Sequence, residues 1–145
     1  MRKFFQRISD LRHRKDLPTI VAGDLNAAPD AASIRFLTGR QSLCGQSVCY
    51  HDAWSVAGGG DGHTWTETNP NALSGMKQII GQKNYDKRYD YVLVGSWDAH
   101  PKGRAQIKSA ELVLNRPVDG IWPSDHFGVM VDLELSSICQ DEGSD

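Results

Sequence analysis

The stretch from Thr19 to Asn26 constrains the fold more than any other, because it joins a strand-like apolar run to a polar turn. The run Thr-Ile-Val-Ala is typical of a pleated, buried strand, and Gly23 after it permits a sharp change of backbone direction. Asp24 and Asn26 stand two residues apart, so an extended backbone points both side chains to the same side. The sequence therefore predicts a strand that ends in a site with a carboxylate and an amide, with a simple Asx-type turn as the alternative.

Two later segments also place polar groups beside predicted strands. Residues 88–95 form a largely apolar run with Asp90 near its start, and a carboxylate there needs a partner because an unpaired buried charge is costly. Asp125 and His126 come directly before residues 127–135, whose alternation of apolar and polar residues is typical of a half-buried antiparallel strand. If these strand ends meet, three carboxylates, an amide and an imidazole share one site.

The remaining segments predict short helices and strands around these positions. Residues 2–15 have the apolar spacing and basic residues of an amphipathic helix, and Asp30 is placed to cap a short helix over residues 31–37. Residues 67–87 are polar and typical of a long surface loop, and residues 107–114 predict a further strand. This order predicts an α+β fold (α/β layered), with a mixed, mostly antiparallel sheet and flanking helices.

Length and charge limit the class of protein. The chain has 145 residues and a formal net charge of -2, which suit one soluble domain with a modest core. We expect this domain to span residues 1–136, followed by a polar, acidic tail over residues 137–145. No apolar run reaches the length of about 18 residues that a membrane-spanning helix needs, and polar residues after Phe5 argue against a signal peptide. The compartment is therefore left open.

The residue types at the predicted strand ends suit hydrolysis of a phosphate ester. A histidine held as a cation by a carboxylate binds an anionic phosphoryl group, a second carboxylate orients or deprotonates water, and an amide stabilises charge developing on oxygen. A further carboxylate would hold a hard divalent cation such as Mg²⁺. Acyl transfer fits poorly because no Ser or Cys lies in a nucleophile motif, and zinc fits poorly because the histidines lack ligand spacing.

Three motifs together resemble the signatures of the endonuclease/exonuclease/phosphatase superfamily, which has the deoxyribonuclease I-like fold. They are Gly-Asp-Leu-Asn at residues 23–26, Arg-Tyr-Asp-Tyr-Val at residues 88–92 and Ser-Asp-His at residues 124–126. Residues 63–65 match a strand that often lines the family's cleft, for which only a structural role is implied. The resemblance extends to about Leu135 and implies Mg²⁺-dependent hydrolysis of phosphate esters, with Mn²⁺ as an alternative ion.

The resemblance also implies a role for each matched position. Asp24 would position or deprotonate the attacking water, and Asn26 would contact the phosphate and the transition state. Asp90 would hydrogen-bond His126 and fix its tautomer and charge, and His126 would bind the scissile phosphate. Asp125 would lie at the metal site together with Asp24.

The family's N-terminal half, which includes the principal glutamate ligand of the metal, has no counterpart in this sequence. Glu67 lies in a predicted loop, and Glu111 and Glu134 lie within predicted strands, so none is placed to serve as that glutamate. We therefore expect the C-terminal half of such an enzyme, with one apolar sheet face left without a partner. On that expectation the chain alone binds Mg²⁺ weakly and is nearly inactive, unless it pairs with a complementary N-terminal half or self-associates.

The class of phosphate ester is left open. The Arg-Tyr-Asp-Tyr motif differs from the Trp-Cys-Asp-Arg stretch of inositol 5-phosphatases, which argues against inositol phosphates. The basic first helix and a basic loop are placed to contact a nucleic-acid backbone, so a nuclease is favoured over a sphingomyelinase-like phospholipid phosphodiesterase. The non-enzyme alternative is a catalytically inactive binding module of the same fold. The basic loop comprises Lys77, Lys83, Lys87 and Arg88.

Overall fold

The computed structural model describes residues 18–81, 85–95 and 105–135. The predicted helix over residues 2–15 and the predicted tail over residues 137–145 lie outside these ranges. No helix of the described ranges is long and apolar enough to cross a membrane. The strands are β1 (Ile20–Asp24), β2 (Tyr50–Asp52), β3 (Asp90–Gly95), β4 (Ala105–Val113) and β5 (Gly128–Leu135), and the α-helices are α1 (Ala32–Leu37), α2 (Ala53–Ala57) and α3 (Pro70–Gly75).

A three-stranded antiparallel sheet in the order β1-β3-β2 forms one part of the fold. In the ladder between β1 and β3, Ile20 pairs with Val94 and Asp24 pairs with Asp90. Buried Ile34 of α1 packs in one cluster with Tyr91 and with other apolar residues of the sheet. The pairing therefore brings the carboxylates of two distant sequence motifs opposite each other at one end of the sheet.

A second, two-stranded antiparallel sheet is formed by β4 and β5. Buried Trp54 of α2 packs in one cluster with Ala110 of β4 and with half-buried Val92 of β3. Helix α2 thus contacts strands of both sheets and joins them. The strand pairs are antiparallel throughout the described ranges, and helices flank them, so the predicted α+β class is confirmed.

The prediction of a long surface loop over residues 67–87 is wrong in part. Helix α3 occupies Pro70–Gly75 and continues into a π-helical turn over Met76–Ile80. Asn69 caps α3, because its side chain accepts a hydrogen bond from the backbone N–H of Asn71, and Pro70 supplies a preset first-turn angle. Ala72 and Met76 are buried in a cluster with Trp65. Among the side chains of this segment whose burial is described, two buried apolar residues define the apolar face, so the polar residues around them concealed the helix.

Asp30 does not cap α1 as predicted. The N-cap position is Ala31, whose backbone is extended (φ -63°, ψ 148°), and no side chain bonds the first turn. The main-chain carbonyl of Asp30 instead accepts a hydrogen bond from the guanidinium of Arg35. The helix therefore begins one residue too late for the Asp30 carboxylate to reach its free N–H groups.

A buried ion pair joins the end of β2 to the segment just before β3. The guanidinium of Arg88 donates to both carboxylate oxygens of Asp52, at 3.0 and 2.6 Å. Both side chains are under 10% exposed, and Asp52 also accepts hydrogen bonds from Trp54 and Ser55 at the start of α2. The predicted contact of Arg88 with a nucleic-acid backbone is therefore wrong, because this cation is buried and already paired.

Candidate functional site

Asp24 and Asn26 form a tight turn at the end of β1. The carboxylate of Asp24 accepts hydrogen bonds from the backbone N–H of Asn26, at 2.8 Å, and from its side-chain amide, at 3.0 Å. Asn26 has a left-handed backbone (φ 47°), which asparagine tolerates better than most residues. Both side chains are exposed. The Asx-type turn anticipated as the alternative is therefore present, and it leaves the carboxylate and the amide side by side and open to solvent.

Asp90 has the partner that its position requires. Its carboxylate lies 2.7 Å from Nδ1 of the His126 imidazole. The two side chains are 19% and 21% exposed respectively, so the pair is sheltered but still reached by solvent. Because Nδ1 is occupied by Asp90, Nε2 is the ring atom left to bind a further group.

Three of the five predicted site residues converge on one point. Ligand atoms of Asp24, Asp90 and His126 all lie within 4.8 Å of one another. Asp24 and Asp90 are direct partners in the β1–β3 ladder, and His126 reaches them from the loop before β5. Asn26 joins the group through its bonds to Asp24. Asp125 is exposed and lies outside the group of ligand atoms, with its carboxylate near the Ser124 hydroxyl at 3.4 Å.

Aromatic rings surround the imidazole. The rings of Trp65 and Tyr89 each have their centroid 6.4 Å from that of His126, and they lie 5.9 Å from each other. Tyr85 meets the edge of Trp65, and the ammonium of Lys87 lies 4.7 Å from the Tyr85 ring centre. Burial raises the pKa of Tyr89, and the nearby Tyr85 and the charge of Asp24 raise it further. The sequence analysis assigned no role to Tyr85 or Tyr89, although Tyr89 belongs to the motif at residues 88–92 and directly precedes Asp90.

Two fully buried polar residues behind the site, Thr64 and Asn69, were also missed. Residues 63–65 were expected to have only a structural role, and Asn69 was placed in a surface loop. Each makes a hydrogen bond to a main-chain atom far away in sequence, Thr64 to the N–H of Tyr89 and Asn69 to the carbonyl of Ser124. A local sequence pattern gives no sign of such bonds, except that a Thr beside Trp65 on a predicted strand suggests burial.

The donor set fits a hard divalent cation that keeps most of its water. Asp90 is half-buried and bonded to His126, whereas Asp24 is the exposed carboxylate of the group, so Asp24 is the one that a hydrated cation can reach. Mg²⁺ is usually held by one or two carboxylates and by substrate phosphate oxygens, with water at its other positions. An exposed carboxylate at the mouth of the site, with one imidazole already committed, matches that pattern better than a closed four-ligand zinc site.

A profile described as the Endonuclease/Exonuclease/phosphatase family matches residues 3–126 of the chain. The chain belongs to this family. The match spans all three motifs that gave the resemblance, and it includes Asp24, Asn26, Asp90, Asp125 and His126. A search of curated proteins found no match.

Two solved structures are similar to this member of the family. One is the endonuclease/exonuclease/phosphatase from Bacteroides vulgatus, with 19% sequence identity and a TM-score of 0.57 over 92% of this chain. The other is a functionally unknown conserved protein from Enterococcus faecalis V583, with 18% identity and a TM-score of 0.54 over the same share. The chain spans less than half of their lengths, 42% and 43% respectively. At these identities the likeness establishes the fold.

Proposed function

We propose that this chain forms the phosphate-binding and water-activating side of a divalent-metal-dependent phosphodiesterase site, acting on nucleic acid. The observation that supports this most directly is the convergence of Asp24, Asp90 and His126 within 4.8 Å, from three separate segments. Two carboxylates held this close repel each other, and a cation or a protonated imidazole relieves that repulsion. Membership of a family of phosphoesterases supports the same reaction class.

Each residue would act as its contacts allow. Asp24, exposed and hydrogen-bonded by Asn26, would orient and deprotonate the attacking water. The Asn26 amide would stabilise negative charge on a non-bridging phosphate oxygen. Asp90, at 2.7 Å from Nδ1, would hold the His126 ring in a fixed orientation, so that Nε2 faces the phosphate.

A divalent cation fits the exposed side of this group. Asp24 and Asp125 would hold Mg²⁺, or Mn²⁺ in its place, with water at the other positions. When bound, such an ion lowers the negative charge of the phosphate and assists departure of the leaving oxygen. Asp125 directly precedes His126 and its carboxylate is exposed. It lies outside the group formed by Asp24, Asp90 and His126.

Nucleic acid is the favoured substrate because of the rings and the cation beside the site. Tyr85 and Tyr89 are half-buried, and Lys87 lies over the Tyr85 ring. Aromatic faces next to a cation bind a planar base and its phosphate without requiring a particular sequence. Arg88 contributes nothing to this contact, since it is paired with Asp52.

We further propose that additional protein of the same fold completes the site. The chain accounts for 42% of the length of the Bacteroides vulgatus structure, so more than half of that fold has no counterpart among the aligned residues. A complementary segment or a second copy would supply the remaining metal ligands. Slow turnover by the chain alone is the expected consequence.

The test combines metal binding with hydrolysis. Mn²⁺ added to the isotope-labelled chain is expected to broaden the NMR signals of Asp24 and His126 before others, because a paramagnetic ion relaxes nearby nuclei. Slow, EDTA-sensitive hydrolysis of bis(p-nitrophenyl) phosphate and single-stranded DNA is expected from the same preparation. Asp24→Asn and His126→Gln should each reduce the rate about 100-fold or more. Asp132→Asn is the matched control, since Asp132 is an exposed carboxylate on β5 bonded to Ser109.

The other candidate functions predict different outcomes. A phospholipid phosphodiesterase would hydrolyse sphingomyelin vesicles and leave DNA intact. An inactive binding module would bind DNA or Mn²⁺ without turnover. Hydrolysis that survives both EDTA and Asp24→Asn would contradict the proposed site, and rapid turnover by the chain alone would contradict its incompleteness.

A further inference from the structure

Thr64 and Asn69 are polar side chains with no exposed surface, directly behind the proposed site. Burying a hydroxyl or an amide is unfavourable unless its hydrogen bonds are replaced inside the protein. Both side chains make such bonds, and they make them to main-chain atoms of the two segments that hold Asp90 and His126. Neither residue belongs to the group that would contact substrate.

Thr64 holds both segments at once. Its hydroxyl oxygen accepts hydrogen bonds from the backbone N–H groups of Tyr89, at 3.0 Å, and Asp90, at 3.2 Å. Its main-chain carbonyl accepts a hydrogen bond from the N–H of Phe127, at 2.7 Å. One residue therefore fixes the main chain at Asp90 on one side and the main chain next to His126 on the other.

Asn69 holds the same loop from a second point. Its side-chain N–H donates to the carbonyl of Ser124, at 2.9 Å, while its side-chain oxygen accepts from the N–H of Asn71. The loop before β5 is thus fixed on both sides of His126, at Ser124 and at Phe127. Both anchors come from the short segment of residues 64–69.

The 2.7 Å contact between Asp90 and His126 thus lies between two segments that Thr64 and Asn69 hold through main-chain hydrogen bonds. We propose that Thr64 and Asn69 are positioning residues, which set the distance between the Asp90 carboxylate and the His126 imidazole through main-chain hydrogen bonds. The proposal rests on the proposed function for its effect on turnover, but its structural part is independent of any substrate. A small shift of the loop would lengthen the carboxylate–imidazole bond and misdirect Nε2.

Thr64→Val and Thr64→Ser test the hydroxyl, because valine keeps the shape and removes the acceptor, whereas serine keeps the acceptor. In Thr64→Val we expect faster amide hydrogen exchange at Tyr89 and Asp90, and loss of the downfield Nδ1 proton signal of His126. Turnover should fall about 10-fold in kcat, with KM little changed. Thr64→Ser should restore all three readouts.

Thr66→Val is the matched control. Thr66 is also buried, at 6% exposure, but within residues 18–81, 85–95 and 105–135 its hydroxyl bonds only with the hydroxyl and N–H of Thr68. The variant Thr66→Val removes a buried hydroxyl from the same segment and breaks no hydrogen bond to Asp90 or to the loop before β5. If Thr66→Val changes the His126 signal as much as Thr64→Val does, the effect is general destabilisation and the proposal is wrong.

Asn69→Ser gives a second route if Thr64→Val does not fold. Serine still caps α3 and removes the donor to Ser124, so the helix is kept while the loop loses one anchor. The expected result is a weakened His126 Nδ1 signal and the same fall in kcat. An unchanged signal in both Thr64→Val and Asn69→Ser would overturn the proposal. If the wild-type chain shows no hydrolysis at all, the proposed function fails, while the exchange and proton-signal results still decide the positioning role.

Discussion

Tyr91 shows how one residue connects the site to stability. It is 2% exposed, and its hydroxyl lies 2.6 Å from the carbonyl oxygen of Ala27 and 3.0 Å from that of Arg88. Ala27 follows the Asp24–Asn26 turn directly, so the hydrogen bond from the Tyr91 phenol holds the main chain at the end of that turn. Only the neutral phenol can donate to these carbonyls, and its ionisation is therefore unfavourable in the folded chain.

A measurable pH dependence follows for Tyr91. Burial raises the pKa of Tyr91 to about 12; Asp52 and Asp30 raise it as well, while Arg88 and Arg40 lower it. Because the folded pKa lies above the unfolded value of about 10, the stabilisation is complete below that pH and is lost as the pH rises towards the folded value. Urea unfolding at pH 8 and pH 11 should show a smaller loss of stability in Tyr91→Phe than in wild type. Equal losses in the two proteins would contradict this assignment.

The catalytic candidates were predictable from the sequence, and the residues that position them were not. Asp24, Asp90 and His126 each lie beside a strand whose apolar residues identify it, so their convergence could be inferred from topology. Thr64 and Asn69 act through bonds to main-chain atoms of distant residues, Thr64 to Tyr89 and Phe127 and Asn69 to Ser124, which no local pattern encodes. Arg88 was misassigned because a lysine-rich neighbourhood indicates a surface, whereas its partner Asp52 lies 36 residues earlier.

At the scale of elements, strand positions were predicted well, and the helices α2 and α3 were missed. Residues 88–95, 107–114 and 127–135 were predicted as strands, and β3, β4 and β5 occupy Asp90–Gly95, Ala105–Val113 and Gly128–Leu135. Strands of this length show their apolar alternation over several residues. Helix α3 has only six residues and one capping side chain, so the apolar spacing of a helix does not repeat often enough to be recognised.

The Arg88–Asp52 pair is a buried contact between elements whose loss leaves a charge unpaired. It connects the start of β3 to the first turn of α2, which packs between the sheets. Arg88→Met should destabilise the chain by about 3–5 kcal/mol, because it leaves the Asp52 carboxylate buried without its cation. Chemical denaturation measures this change directly.

The double variant Arg88→Met/Asp52→Asn provides the control for that prediction. Asparagine removes the charge while keeping an oxygen to cap α2. We expect the double variant to be more stable than Arg88→Met alone. A double variant no more stable than the single one would mean that packing, and not the unpaired charge, accounts for the loss.

At the scale of the whole molecule, the sheets bury only part of their apolar surface. Strand β5 has no fully buried residue, and Ile20 of β1 and Met130 of β5 are 43% and 48% exposed. The expectation of an apolar sheet face without a partner stays a prediction, and this exposure shows where to test it. An apolar strand face in solvent promotes association with other chains.

We therefore expect the purified chain to self-associate as its concentration rises. Ile20→Lys and Met130→Lys should each shift sedimentation velocity profiles towards the monomer, because a lysine on an exposed strand opposes strand association. Ile79→Lys is a suitable comparison, since Ile79 is 81% exposed in the π-helical turn rather than on a strand. A wild-type chain that stays monomeric at all concentrations would contradict the prediction.

The pairing of Asp24 with Asp90 also restricts which changes in chain length the protein tolerates. Successive side chains along a strand point to opposite faces, so one residue inserted into β1 or β3 would turn one carboxylate away from the other. Insertions in the exposed residues 114–121 would leave this pairing intact. Over evolutionary time, length variation among descendants of this sequence should accumulate in such loops and be almost absent from the two strands.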